Sequence, residues 1–238
     1  MSENYEIEEM GSFFNTRAGG YDKHMGDTVN SFEEYYKLVS STMEYTEDPI
    51  EILDLGCGTG FEIEGILSKA PNANITCIDL SEEMLKVLKV KYKNKLNQIN
   101  IIVDSYLDYD FGINKYRYIF GVMTMHHFLY DEKLALYKKI RTALLKEGGS
   151  YIEGDYVVTK YYEKKWLKRR EELLKEYGDE KIKLYHIDIP FSINTQKRLF
   201  REAGFNREFN IIFQQGEHFI YEVKQGILKK GSDIDDKY

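Results

Sequence analysis

The run Asp54-Leu-Gly-Cys-Gly-Thr-Gly60 places glycines at 56, 58 and 60 directly after an apolar segment, EILDL. Glycine tolerates left-handed backbone and has no Cβ, so such a turn bends sharply and lets a ligand reach the main chain. Two further acids end apolar runs: Asp79 in ITCIDL (75–80) and Asp104 in INIIVD (99–104). A carboxylate at Asp79 can accept hydrogen bonds from both hydroxyls of a ribose. Its structural alternative is an approach residue before the helix that Ser81 can cap. Asp54, Asp79 and Asp104 at three strand ends would repel one another. A cationic ligand carrying sugar and amine donors would relieve that repulsion.

Other groups could serve an acceptor. His126 and His127 follow the apolar run YRYIFGVMTM (116–125), and adjacent side chains in a loop diverge, so one of the pair is expected to face a pocket. The alternative is a helix cap or a bond to a backbone carbonyl. In YHIDIP (185–190), His186 and Asp188 fall on one side of an extended chain. They would line an acceptor pocket or pin a loop by hydrogen bonds. Asp155 and Tyr156 end another apolar run, GDY. Two neighbouring histidines without a well-placed cysteine make a poor tetrahedral set, so no metal is assigned.

The elements that must hold these groups follow from periodicity. Apolar runs at 51–55, 75–80, 99–104, 116–125 and 150–158 alternate with helical patterns at 61–70, 81–96 and 131–145. This predicts βαβ units and a doubly wound, mostly parallel α/β sheet. FNIIFQQ (209–215) and HFIYEVK (218–224), separated by Gly216-Glu217, predict an antiparallel hairpin that brings the sheet to seven strands. The helical stretch 159–178 interrupts the alternation. Its face of Tyr162, Trp166, Leu173 and Tyr177 reads as a lid over the strands' carboxyl ends, with Trp166 offered to an acceptor. The resulting division is an N-terminal helical segment at 1–46, a core at 47–158, a lid at 159–190, a closing helix and hairpin at 191–228, and a disordered tail at 229–238.

The glycine spacing discriminates between cofactors. A dinucleotide turn needs a glycine at the sixth position, and counting from Gly56 that position is Phe61. Asp54 followed by Gly-x-Gly-x-Gly instead resembles motif I of the class I S-adenosylmethionine-dependent methyltransferases. YRYIFGVMTMHHF (116–128) resembles their fourth motif and LLKEGGSYIEGD (144–155) their Gly-Gly turn and fifth strand. FNTRAGGYDKHM (14–25) is similar to the N-terminal segment of small-molecule members. The resemblance implies a Rossmann-like fold and S-adenosylmethionine as cofactor, with S-adenosylhomocysteine as product. It implies that Arg17 pairs with the methionine carboxylate and that Tyr21 covers the sulfonium. Cys57 and Thr59 would complete the turn, and Leu80 and Met84 would flank Asp79. Asp104, Ser105 and Tyr106 would hold the adenine, and Val122 and Met123 the region of the methyl. His126, His127 and His186 are its catalytic candidates, and Phe14, Asp155, Tyr156, Trp166 and Asp188 the acceptor-binding ones. One departure stands out: Arg117 aligns where many relatives carry an acid.

Composition narrows the acceptor. Lys+Arg number 33 against 40 Asp+Glu, a net charge of −7, which suits an obligate nucleic-acid binder poorly. The lysines and arginines at 160–175 are interleaved with Glu163, Glu171 and Glu172, which favours a solvated helix face over an RNA-binding one. Aromatic residues reach 14%, enough to furnish a partly apolar pocket. There are 2 cysteines, no disulfide framework, no 18-residue apolar run and an acidic N-terminus, so the expectation is a cytoplasmic protein, monomeric or homodimeric. Methyl transfer to a small molecule is therefore the expected function. The rivals are an RNA-modifying methyltransferase and a non-catalytic S-adenosylmethionine-binding sensor or partner.

Overall fold

A computed structural model describes residues 8–28, 32–178, 185–205 and 209–226. The expectations for the tail at 229–238, and for the part of the lid at 179–184, lie outside the described residues. Three helices come first: α1 (Met10–Arg17), α2 (Tyr21–Thr28) and α3 (Phe32–Val39). Then β1 (Glu51–Leu55), α4 (Ile63–Lys69), β2 (Asn74–Asp79), α5 (Glu82–Lys91) and β3 (Ile99–Val103) alternate. They are followed by β4 (Tyr118–Val122), α6 (Tyr130–Ala143) and β5 (Ser150–Tyr156). The chain closes with α7 (Lys160–Tyr177), α8 (Ile193–Glu202), β6 (Phe209–Gln215) and β7 (His218–Lys224).

The seven strands form one sheet in the order β3-β2-β1-β4-β5-β7-β6. β1 to β5 pair in parallel, and β7 runs antiparallel between β5 and β6. The expected hairpin is present, turned at Gly216 with φ 60°. The order reverses between β1 and β4, so the chain parts there and leaves a crevice at their carboxyl ends.

Strand alternation divides the core in two. On β1, Leu53 and Leu55 face one side and pack with Leu136, Tyr137 and Ile140 of α6 and Leu199 and Phe200 of α8. Ile52 faces the other side with Val39 of α3, Ile66 of α4 and Leu85 and Leu88 of α5. Both faces are covered, which is why these strands read as nearly continuous apolar runs. Ser81 caps α5 by accepting from the Met84 N–H at 3.2 Å.

α7 departs from the expected face. Of that face Leu173 is buried but Tyr162, Trp166 and Tyr177 are exposed, and Glu163 and Arg170 are buried instead. The reason is polar: Glu163 accepts from the N–H and hydroxyl of Ser192 and from Thr195 Oγ1, and also pairs with Lys160. Bonding the helix to the start of α8 turns its aromatic side outward.

Candidate active site

The crevice holds a cavity of about 370 Å³. The glycine turn forms its floor. The N–H groups of Gly56 and Cys57 donate to the Ile78 carbonyl at 2.8 and 3.2 Å, tying the turn to the end of β2. Gly56, Gly58 and Gly60 all have positive φ (66°, 50° and 75°). A Cβ on Gly56 would stand 2.4 Å from Thr124 Oγ1, and one on Gly60 2.7 Å from Ile63 Cδ1. A Cβ on Gly58 would meet no protein atom within 4 Å. Two glycines therefore permit packing, and the middle one leaves its backbone open to a ligand.

Asp79 binds this turn. Its Oδ2 accepts from the Gly58 N–H and its Oδ1 from the Ser81 N–H, both at 2.8 Å. Burial pushes its carboxyl above the usual range despite those two donors. Asp54 lies beneath the turn, wholly buried, and its neighbour is the Glu62 carboxyl. Burial and that neighbour push Asp54 well up, and burial also raises the Glu62 carboxyl. A cation bound in the cavity would favour the ionised forms of Asp79 and Glu62, which line it.

Of the residues singled out in the sequence, Phe14, Tyr21, Gly56, Cys57, Gly58, Thr59 and Asp79 line the cavity. So do Leu80, Met84, Ser105, Tyr106, Val122, Met123 and His127. Several others lie outside its lining. Arg17 turns to Glu8, with Nη2–Oε1 2.6 Å, and its guanidinium lies 3.8 Å from the Phe13 ring centre. Asp104 is exposed and accepts from the Ser105 N–H at 2.7 Å, so only the residues after it reach the cavity. Asp54 and Gly60 support the turn from behind. Trp166 is carried away by the orientation of α7.

The wall also contains residues that sequence reasoning passed over: Glu9, Met10, Tyr36, Phe61, Glu62, Leu107, Asp108, Thr124 and Phe128. Phe61 and Glu62 directly follow the glycine turn, a signal that was available. Thr124 is fixed by a 2.7 Å hydrogen bond with the Tyr106 hydroxyl, which sequence spacing does not reveal.

At the far end of the cavity the polar candidates assemble. His126 and His127 occupy the turn Met125–His127 after β4. The returning chain reaches them through the Ile189 N–H, which donates to the His126 carbonyl at 2.6 Å. The same segment meets the N-terminal region, where the His186 N–H donates to the Glu8 carbonyl at 2.9 Å and the His186 ring stacks on Phe13 with centroids 3.9 Å apart. His126 Nδ1 lies 2.5 Å from Asp155 Oδ1. Asp188 Oδ1 lies 3.6 Å from His126 Nε2, 3.4 Å from His127 Nδ1 and 3.8 Å from His186 Nε2. Tyr156 lies beside His126, ring centroids 5.0 Å apart. Among the histidines only His127 lines the cavity.

The charge states follow. Burial opposes a charge on His126, but Asp155 and Asp188 outweigh it and lift its pKa. Burial and the neighbouring His126 lower that of His127. Burial, then His127, pull His186 down to about 4. Burial works against ionised Asp188, yet the three imidazoles hold its carboxyl below the usual range.

Comparison with known proteins agrees with this geometry. A family model described as a methyltransferase domain matches residues 52–149. Malonyl-[acyl-carrier protein] O-methyltransferase 2 of Ilyobacter polytropus is 33% identical over 141 residues, 59% of this chain and 49% of the relative. The chain thus spans about half the length of that protein. Carboxy-S-adenosyl-L-methionine synthase of Nautilia profundicola is 24% identical over 223 residues, covering 89% of this chain and 93% of the relative. Human N-acetylserotonin methyltransferase, solved in complex with S-adenosylmethionine, superposes with a TM-score of 0.63 at 17% identity, over 92% of this chain and 60% of that one. At that identity the likeness speaks for the fold alone. Residues 52–149 thus match a methyltransferase domain, and the sheet order and glycine turn agree with the resemblance to class I S-adenosylmethionine-dependent methyltransferases that the sequence carries.

Proposed function

We propose that the chain transfers the methyl group of S-adenosylmethionine to a small-molecule acceptor bound at the His127 end of the cavity. One observation carries the reading: a single cavity joins the open backbone at Gly58 and the Asp79 carboxylate to a histidine-lined end. The residues fit the cofactor. Asp79 keeps unused acceptor lone pairs for the ribose hydroxyls, and the backbone at Gly58 leaves room for close approach. Leu80, Met84 and Tyr106 offer apolar and aromatic surface to the adenine. The Phe14, Tyr21 and Phe61 rings line the same cavity as the raised carboxyls of Asp79 and Glu62 and suit a sulfonium.

When bound, S-adenosylmethionine supplies an electrophilic methyl on a leaving group that needs no further activation. The protein's task is then alignment and exclusion of water. Phe14, Val122, Met123 and Phe128 line the cavity with apolar surface beside His127. An acceptor hydroxyl or thiol there meets the His127 imidazole, whose lowered pKa favours the neutral form that can take up its proton. The curated relatives point to a malonyl-acyl-carrier-protein acceptor and to carboxy-S-adenosylmethionine chemistry, the former on a match confined to 59% of this chain. The net charge of −7 speaks against an RNA acceptor.

The test incubates purified protein with methyl-labelled cofactor and three acceptor pools: fractionated small metabolites, acyl-carrier proteins and tRNA. Label in a small-molecule fraction is expected. Label in carrier protein or tRNA overturns the acceptor reading, and cofactor binding with no transfer to any pool favours the sensor alternative.

A further inference from the structure

We infer that His126, His127 and Asp188 form a binding site for one divalent transition-metal ion of the zinc class, at the acceptor end of the cavity. The inference stands apart from the methyl-transfer reading, since metal binding is measured without cofactor or acceptor. One ligating atom from each of the three residues lies within 4.8 Å of the others. Ligands bound at about 2.0–2.1 Å in a tetrahedron stand roughly 3.3–3.4 Å apart. Asp188 Oδ1 lies 3.4 Å from His127 Nδ1 and 3.6 Å from His126 Nε2, already close to those edges. Neither contact closes into a hydrogen bond. Indeed His127 Nδ1 and Asp188 Oδ1 are both buried without a hydrogen-bond partner. Unpaired buried polar atoms carry a desolvation cost, and a cation between them removes it.

The surroundings have the form that metal sites use. His126 Nδ1 lies 2.5 Å from Asp155 Oδ1, and with a metal bound Nδ1–H would donate to that carboxylate while Nε2, 3.6 Å from Asp188 Oδ1, would ligate. A carboxylate behind a ligating imidazole fixes its tautomer and raises its basicity. His186 Nε2, 3.8 Å from Asp188 Oδ1, stands beside the site with its ring held on Phe13. Two imidazoles with one carboxylate suit zinc, iron, cobalt or nickel rather than magnesium or calcium. Three protein ligands leave a further coordination position. His127 also lines the cavity, so an acceptor oxygen or sulfur can reach an ion held there.

The experiment strips the full chain with a chelator and titrates it with Zn²⁺ by calorimetry and with Co²⁺ by visible absorption. One ion per chain is expected, with the intense d–d bands of low-coordinate cobalt. His127→Ala and Asp188→Asn should each weaken binding at least tenfold, and Asp155→Asn, behind the ligand, roughly 10- to 100-fold. His24→Ala should change nothing. Circular dichroism of each variant separates lost ligation from lost fold, and Asp188→Asn, being isosteric, is the variant best placed to stay folded. Binding weaker than about 100 μM for both ions in the wild type overturns the inference. So does binding that survives Asp188→Asn and His127→Ala undiminished. Either result leaves a proton on His126, shared between Asp155 and Asp188, as what neutralises the cluster.

Discussion

Asp79→Asn separates the two roles that the structure gives one carboxylate. Its Oδ2 holds the Gly58 N–H and its Oδ1 the Ser81 N–H, and its remaining lone pairs are those proposed for a ribose. Asparagine keeps the shape but has only one oxygen, so one of the two backbone N–H groups faces an amide NH₂. That orphaned donor should cost about 1–3 kcal/mol of stability. Hydrogen bonds to an ionised partner contribute about 1.5–3 kcal/mol and neutral ones about 0.5–1.5. Two ribose hydroxyls moved from carboxylate to amide should therefore lose about 2 kcal/mol together, or roughly 30-fold in Kd. Calorimetry with S-adenosylhomocysteine measures the affinity, and denaturant melts of the free protein measure the stability. Affinity within threefold of wild type, with the stability loss present, would show that Asp79 only braces the turn and would refute the ribose assignment.

Three further outcomes are expected. Gly56→Ala puts a methyl 2.4 Å from Thr124 Oγ1 in left-handed backbone, and should destabilise by about 2–4 kcal/mol in urea melts; a loss under 1 kcal/mol would contradict the packing role of this glycine. Asp54 and Glu62 have folded-state pKa values raised above their unfolded ones, so the folded chain binds the extra protons and stability falls as pH rises from about 4 through the folded values, by at most about 1.4 kcal/mol per pH unit and proton. Asp54→Asn, which removes one of the two raised carboxyls, should flatten that decline, and a parallel curve would refute the coupling of the pair. Lys133→Met should cost about 3–5 kcal/mol, because it leaves the buried Glu153 without the ammonium 3.5 Å away; melts that coincide with wild type would show that the hydroxyls of Tyr137 and Tyr151, which donate to Glu153 at 2.7 and 2.8 Å, satisfy it without the ammonium.

The sheet was legible because its signals are local. Apolar runs bounded by turn residues mark strands, and the Gly216-Glu217 hairpin spans 209–215 and 218–224 as its sequence indicates. The glycine turn was legible for the same reason, since positive φ at 56, 58 and 60 is a demand that each residue meets alone. What local sequence misjudged is where long side chains go. Arg17 reads as a partner for a carboxylate ligand, yet Glu8 is nearer and takes it. The aromatic stripe of α7 reads as a lid over the strands' carboxyl ends, yet the bonds of Glu163 to Ser192 and Thr195, made across the fold, decide the helix's rotation.

By itself, then, the sequence determined the order of strands and helices, the backbone form of the glycine turn and the acids at the strand ends, because each rests on neighbours a few residues apart. The tertiary structure alone decided which acids reach the cavity, and that His126, His127, His186, Asp155 and Asp188 gather from three distant segments. Such a gathering depends on how β4, β5 and the chain returning from α7 meet at one edge, and no periodicity within any one of them encodes it.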